Sequence, residues 1–374
     1  MIEVPFHGNL RGVSKPRSIV RIDGYRTWFN SWEVNLNSTH EADDFTLELP
    51  FRITRNQQQG YLVNTPEYTT YLFTKSDVLV EIFVGYPQNP QQFQESDLTR
   101  IMYGYMDTAE IRADASGEIV TLTGRNMIAP FLDNKTTEKY QNMTSSAIAQ
   151  MLAARRGLQA SVTPTYTLTG KYYNGDHVEM NKDVSEWDLL TFLAEQEGYA
   201  LRVKDNTLFF GPFDQVIGNI TNAPPLNYTW GQNIESFTLS RSPHAAKNIE
   251  VEVHSYDQKT GKHILAKTAR NYAMAQNTYH ERYFYPGLTQ DQAQKKAQSI
   301  LDQLSKLEVT GTMNVAGNEQ LTVDRRIALY GVGLGLSETY FVRKASHKFD
   351  YKNGYRCEIT FSNLLLPDEQ TGGM

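Results

Sequence analysis

A mainly β fold interrupted by a small α/β module is what the sequence predicts, with a β-barrel domain on either side of that module. Three observations carry the prediction. Period-two alternation of apolar and polar residues fills the first third of the chain and returns after Val309. Helical periodicity with capping residues is concentrated between those regions and in one later segment. The two alternating regions also close on a similar glycine-turned hairpin.

In the first region, residues 17–22 form a short alternating run that Gly24 turns, and residues 28–36 and 45–51 alternate as half-buried strands do. Residues 77–84 place Val78, Val80, Ile82 and Val84 on one face. The Gln-, Asn- and Tyr-rich stretch 56–70 and the Pro- and Gln-rich stretch 86–97 are expected to be loops.

Near Pro130 the character changes. Residues 145–156 predict a helix with Ile148, Met151, Leu152 and Arg155 on one face, capped by Thr144 and ended by a left-handed Gly157. Ser185 to Asp188 resembles a capping box and opens a second helix, which buries Trp187, Leu190, Leu193 and Ala194 and stops at Gly198. A hairpin follows, with arms at 199–203 and 207–210 around Asp205-Asn206. Pro224-Pro225 marks a boundary. Beyond it, 234–240 and 247–254 read as strands, and Lys259 to Lys262 as a turn between longer arms. Thr289 to Gln292 opens a helix to about Leu307, with Ala293, Ala297, Ile300, Leu301 and Leu304 along one stripe. The expected domains are therefore 1–130 (first barrel), 131–225 (α/β middle), 226–366 (second barrel with an inserted hairpin and helix at about 255–307), and a flexible tail at 367–374.

The 374 residues carry a net charge of −6, with 40% hydrophobic and 21% charged residues, the balance of an ordinary globular protein. That charge argues against a dedicated nucleic-acid binder, yet an acidic wall lets DNA slide past. Cys357 is the single cysteine, which rules out an intrachain disulfide and a thiolate metal cluster. Residues 1–10 include Glu3 and His7 without an apolar run, so no signal peptide is expected, and no stretch approaches the ~18–20 apolar residues of a membrane span. Synthesis and folding in a cytoplasm are the expectation.

The two β regions echo each other. An offset of 237 residues maps Gly117, Val120, Leu122, Thr123 and Asn126 onto Gly354, Cys357, Ile359, Thr360 and Asn363. Two similar barrels per chain would let three chains present six nearly equivalent units.

Three local patterns carry a family resemblance. They are Trp187 to Ala194 with Gly198 and the following hairpin, the Ala-rich run from Gly287 to Leu304, and a closing series. That series runs Gly331-Val332-Gly333, Tyr340-Phe341-Val342, His347 and Gly354-Tyr355. In this order the chain resembles the baseplate hub family of contractile phage tails, the late control D proteins, whose fold is shared with the hub part of type VI secretion spike proteins. The first barrel departs most from that pattern. The resemblance implies tandem tube-type barrels in a homotrimeric ring that joins a hexameric tail tube to a trimeric central spike. It implies a virion tail baseplate, assembled in the host cytoplasm, and a spike supplied as a separate subunit. Further implied contacts are a tail tube or distal tube-initiator protein, baseplate wedge and tape-measure proteins, and DNA only in passage through the lumen, with no membrane span.

The residues offer no catalytic, cofactor-binding or metal-binding set. Gly331-Val332-Gly333-Leu334-Gly335 has no helix after it to hold a pyrophosphate, so a barrel loop is expected. None of His7, His40, His177, His244, His254, His263, His280 and His347 stands at a metal-ligand spacing, and His347 reads as a structural core histidine. Glu195 and Glu197 diverge on a helix and cannot straddle a glycosidic bond, and Asp43-Asp44 reads as turn chemistry. The pairs Arg155-Arg156, Lys295-Lys296 and Arg325-Arg326 read as salt bridges or solvated faces. Tyr-rich loops at 61–72 and 272–285 are candidate interface contacts. A non-enzymatic structural role is expected. The alternatives are a tail-associated cell-wall hydrolase and a receptor- or glycan-binding tip protein of a non-contractile tail.

Overall fold

The computed structural model of the chain describes residues 15–363, apart from 39–40, 51–65, 115–116, 137, 139, 141, 167, 170–183, 217–222, 242–247, 258–261, 272–277, 286, 289, 305–308, 324 and 334. The expected tail at 367–374 lies outside the described residues. The first β region comprises β1 (Arg17–Ile22), β2 (Tyr25–Thr27), β3 (Ser31–Leu36) and β4 (Asp44–Pro50), helix α1 (Pro66–Thr74), then β5 (Leu79–Gly85), β6 (Thr99–Asp114) and β7 (Gly117–Asn126). Alternation sets the faces. Trp32, Val34 and Leu36 of β3 and Phe45, Leu47 and Leu49 of β4 are buried, while Glu33, Asn35, Thr46 and Glu48 point the other way.

The middle region contains α2 (Ala129–Asp133), β8 (Lys135–Thr136), β9 (Met143–Thr144), α3 (Ser145–Arg155), β10 (Gln159–Val162), β11 (Leu168–Thr169), β12 (Val184–Ser185), α4 (Glu186–Glu197), β13 (Ala200–Lys204), β14 (Thr207–Gly211) and α5 (Phe213–Val216). β10 runs parallel to β14, which pairs antiparallel with β13. The caps act as the sequence suggests. Thr144 accepts a hydrogen bond from the Ala147 amide, Ser185 and Asp188 form a reciprocal box, and Gly157 and Gly198 end α3 and α4 at φ +72° and +68°. Ile148, Leu152, Trp187, Leu190, Leu193, Leu208 and Phe210 form a core of their own. Glu186, 1% exposed, is held by Arg156 at 2.7 Å and Arg155 at 3.4 Å.

The last region holds β15 (Leu226–Thr229), β16 (Ser236–Arg241), β17 (Asn248–Asp257), β18 (Lys262–Arg270), β19 (Thr278–Phe284), α6 (Gln290–Leu304), β20 (Val309–Ala316), β21 (Arg326–Tyr330), β22 (Thr339–Asp350) and β23 (Gly354–Ser362). The two outer regions share one sheet, in the order β16-β20-β23-β22-β3-β4-β7-β6-β5-β1-β2, with β21 on β22 and β15 on β21. They also share one hydrophobic core. The join is an antiparallel pairing of β3 with β22 from Ala345↔Leu36 to Asp350↔Ser31.

Within that sheet the order β3-β4-β7-β6-β5 recurs as β16-β20-β23-β22-β21. The repeat reaches individual bonds. Asn126 donates its amide to the Asp43 carbonyl at 2.9 Å, and Asn363 donates to the Val309 carbonyl at 3.1 Å. Both long hairpins carry an irregularity at the same place, between Met106 and Thr108 and between Val342 and Lys344. Phe45 faces Gly124 across β4 and β7, while Gly311 faces Phe361 across β20 and β23, so ring and glycine have exchanged strands. Each pair fills the same volume with one ring.

Between β16 and β20, where the first half has only residues 37–43, stands a three-stranded sheet, β18-β17-β19, covered by α6. Ile249, Val251 and Val253 meet Ala293, Ala297, Ile300 and Leu301 there. This excursion and the middle region leave the main sheet from the same end, after Arg241 and Asn126; the β6–β7 and β22–β23 turns lie at the other.

Several expectations shift. Residues 66–70 are helical and not loop, because α1 begins at Pro66, a residue whose fixed φ suits a first helical position. The strand expected at 28–36 starts at Ser31, after a bend at Trp28–Asn30. From Thr278, the Tyr-rich stretch expected as a loop is instead strand β19, parallel to β17; every one of its residues is exposed or half-buried, so no alternation marks it. Helix α6 is described from Gln290 to Leu304; its expected continuation to about Leu307 and its expected cap Thr289 lie outside the described residues.

Two stability measurements follow from this packing. A Cβ at Gly124 would stand 2.1 Å from the Tyr105 carbonyl oxygen and 2.6 Å from the Phe45 ring. Gly124→Ala is therefore expected to cost ~1–3 kcal/mol or more in chemical denaturation. Glu186→Ala removes the buried carboxylate that Arg156 binds and leaves Arg155 with Glu138, and is expected to cost ~1–3 kcal/mol. Unchanged unfolding midpoints in these variants would contradict the packing described.

Candidate functional site

Eight strands, β16-β20-β23-β22-β3-β4-β7-β6, turn one face to the core and the other to solvent. The solvent face carries Thr238, Thr312, Glu358, Lys348, Glu33, Thr46, Thr121, Thr123 and Glu110, without a large apolar side chain among these positions. Its charges are cross-linked from strand to strand. Lys348 Nζ lies 3.2 Å from Glu33 Oε1 and 3.8 Å from Glu358 Oε2, so it ties β22 to both neighbours. Ser31 donates to Glu48 at 2.6 Å, Arg125 meets Asp107 at 2.6 Å, and Arg356 lies 3.5 Å from Glu235. Such exposed pairs each stabilise by only ~0–1 kcal/mol. Their effect is electrostatic instead: positive and negative groups interleave, and no single-sign track develops.

Two open edges bound this wall. Among the described residues, β16 ends the sheet path and pairs only with β20. At the other side, β5 covers β6 from Thr99 to Tyr105, and beyond that, among the described residues, β6 pairs with β7 alone. Ile111, on the core side of β6 opposite Val120, is left 40% exposed there. At the end bearing the β22–β23 turn, Trp28 and Tyr351 are 69% and 66% exposed, and Tyr351 stacks on Phe29.

The residues weighed for chemistry take the following places. Gly331, Gly333 and Gly335 all have positive φ (+74°, +117° and +81°) in the turn between β21 and β22, with no helix following. Arg155 and Arg156 bind Glu138 and Glu186, and Lys295 pairs with Asp291 one helical turn away. Lys296 sits over the Tyr285 ring, and Arg326 donates to the Ala223 carbonyl. Glu197 accepts a hydrogen bond from Ser145, Asp43 accepts from the Asn37 amide, and Asp44 from Asn35. Tyr71 of α1 bonds Asp23.

Sequence spacing missed one histidine pair. His254 and His263 are diagonal neighbours across β17 and β18, with Nδ1 and Nε2 3.2 Å apart, and His254 stacks on Phe284. Glu252 beside them receives Lys267, Arg282 and His254, and the Lys267 ammonium first among these holds its carboxyl down at about 2. His280 lies 3.5 Å from Glu250. Among the described residues no group of three or more His, Cys, Asp or Glu side chains is arranged to hold a metal. His7, His40, His177 and His244 lie outside the described residues.

His347 is fully buried between β22, β23 and the 317–325 loop. Its Nε2 donates to the Leu321 carbonyl at 2.8 Å, which leaves Nδ1 to accept from the Tyr355 hydroxyl at 2.7 Å. Burial depresses its pKa to about 4 and pushes the adjacent Cys357 thiol up to about 12, so neither is charged at neutral pH.

The comparisons with known proteins match this geometry. The family model described as phage tail baseplate hub (GPD) matches residues 87–353. The chain belongs to the phage tail baseplate hub family. Among solved structures, a tail protein from Neisseria meningitidis MC58 superposes with a TM-score of 0.66 at 15% identity, covering 93% of this chain and 96% of that one. The 43 kDa tail protein of prophage MuSo2 from Shewanella oneidensis gives 0.64 at 14%, covering 92% and 98%. An E. coli component of the type VI secretion system, itself similar to the T4 tail proteins gp27 and gp5, gives 0.53 at 9%, covering 94% and 77%. No curated protein sequence matches. The hub is thus a structural component of the tail baseplate, built on the fold that these tail and secretion proteins share.

The buried histidine makes hub stability pH-dependent in a defined direction. The unfolded chain takes up a proton on this imidazole near the ordinary pKa of ~6.5, and the folded hub only near 4. The contribution is complete above ~6.5 and is lost as pH falls toward 4, amounting to about 3 kcal/mol. Denaturation midpoints of wild type and His347→Gln between pH 7 and 4 check this: the variant should lack this component of the decline, and equal slopes would contradict it.

Proposed function

We propose that three copies of the hub close into a ring that joins a hexameric tail tube to a trimeric central spike, with the polar wall lining a channel. The duplicated sheet is the observation that carries the reading. Each chain repeats one strand order twice in a single sheet, so a threefold ring would offer six nearly equivalent units to a sixfold tube. The proposed domains are 1–130 and 226–366 as the two ring-forming halves, 131–225 as the middle domain, and about 255–307 as the insertion.

Because both excursions leave the sheet from one end, that elaborated end would form the cup for the spike, and the end bearing the hairpin turns would meet the tube or a distal tube-initiator protein. Baseplate wedge and tape-measure proteins are further proposed contacts. The interleaved charges of the wall suit a passage for DNA, since they offer neither a cationic track to arrest phosphates nor a uniform field to repel them. The proposed role is mechanical, and the ion pairs described above tie strands and helices to one another.

Light scattering of the purified protein at increasing concentration tests this. A mass three times that of the 42.6 kDa chain is the expected result. A monomer that persists at high concentration, both alone and with a spike protein from the same tail, would overturn it.

A further inference from the structure

From the internal repeat we infer the register by which one copy of the hub pairs with the next: the open half of β6 in one protomer adds antiparallel to β16 of its partner, with Ile111 opposite Leu239. The inference rests on the ring reading and specifies its seam.

The chain already contains one such seam. β22 pairs with β3, and the repeat makes β6 the counterpart of β22 and β16 the counterpart of β3. The correspondence is fixed residue by residue. Thr108 and Lys344 follow the two matched irregularities and face Thr123 and Thr360, while Asp114 and Asp350 face Gly117 and Gly354. On the other side, Ser31 faces Glu48 as Ser236 faces Asn314, and Asn35 faces Asp44 as Ser240 faces Thr310. Carrying the internal pairing His347↔Val34 through these equivalences gives Ile111 opposite Leu239 of the next copy. Lys348↔Glu33 becomes Arg112 opposite Thr238, and Ser346↔Asn35 becomes Glu110 opposite Ser240.

The side chains agree with that register. Ile111 lies on the core side of β6, opposite Val120, and is 40% exposed at this edge. Leu239 and Phe237 lie on the core side of β16 and are half-buried. Docking in this register covers Ile111 with Leu239 and continues the core across the seam, while Glu110 and Arg112 stay on the polar wall beside Ser240 and Thr238. A slip by one residue would put Ile111 opposite a Thr or Ser of the polar face, and strand pairing resists that inversion. The pairing is also head-to-tail, one surface meeting a different one, so it propagates from copy to copy and gives a ring when the rotation between copies closes.

Cross-linking in the full chain tests it. Ile111→Cys combined with Leu239→Cys, mildly oxidised, should give covalent dimers and trimers on a non-reducing gel. Ile111→Cys combined with Phe237→Cys, and with Arg241→Cys, should give at least tenfold less. Cys357 is buried and stays silent. In parallel, Ile111→Glu should weaken self-association at least tenfold while leaving the thermal midpoint of the isolated chain unchanged. A trimer by light scattering whose cross-links favour a shifted pair, or that tolerates Ile111→Glu, overturns the register and leaves the ring reading standing. A protein that stays monomeric overturns both.

Discussion

The pairing of β3 with β22 is the constraint on which the rest of this hub depends. It brings together residues more than 300 positions apart, Ser346 and Glu33 at 3.1 Å among them, and turns two half-sheets into one. Its core side is strongly apolar: Trp32 stacks on Phe349 with centroids 5.8 Å apart, and Trp32 donates its indole N–H to Ser18 at 2.9 Å. Tyr86 reaches from the first half to the Gly317 carbonyl of the second at 2.9 Å, where any Cβ would strike the Tyr355 ring. A chain joined in this way is a double unit whose two halves share one sheet and one core.

The placement of the remaining segments follows from that sheet. Hairpin turns close one end of it. The middle region and the β17–β19 insertion, each with its own core, extend from the other, so elaboration there leaves the repeated strands undisturbed. Arg100 of β6, which binds Asp205 at 2.7 Å, fastens the middle region to the strand beside β7, from which that region continues.

Much of this was legible in the sequence, wherever a local pattern had a local cause. The capped helices α3 and α4 stand where Thr144, Gly157, Ser185 and Gly198 put them, because caps act within one turn. The echo between residues 117–126 and 354–363 was visible as a spacing, and its counterpart in space is the matched register and shared irregularity of two hairpins. What escaped was non-local. Nothing near residue 33 or 346 announces that they meet, and the Phe45–Gly124 and Gly311–Phe361 exchange conceals the repeat where packing is tightest. β19 escaped because an exposed edge strand has no buried alternation to show. The His254–His263 contact escaped because diagonal neighbours across a hairpin have no fixed sequence spacing.

Amide hydrogen exchange along residues 31–36 and 345–350 tests the central claim most directly. If β3 and β22 weld the halves into one cooperative sheet, the amides hydrogen-bonded between them should exchange only through global unfolding, at rates matching the β4–β7 pairing. Exchange there as fast as in the open edge of β16, with the flanking strands still protected, would contradict the claim and make the halves two independently opening domains.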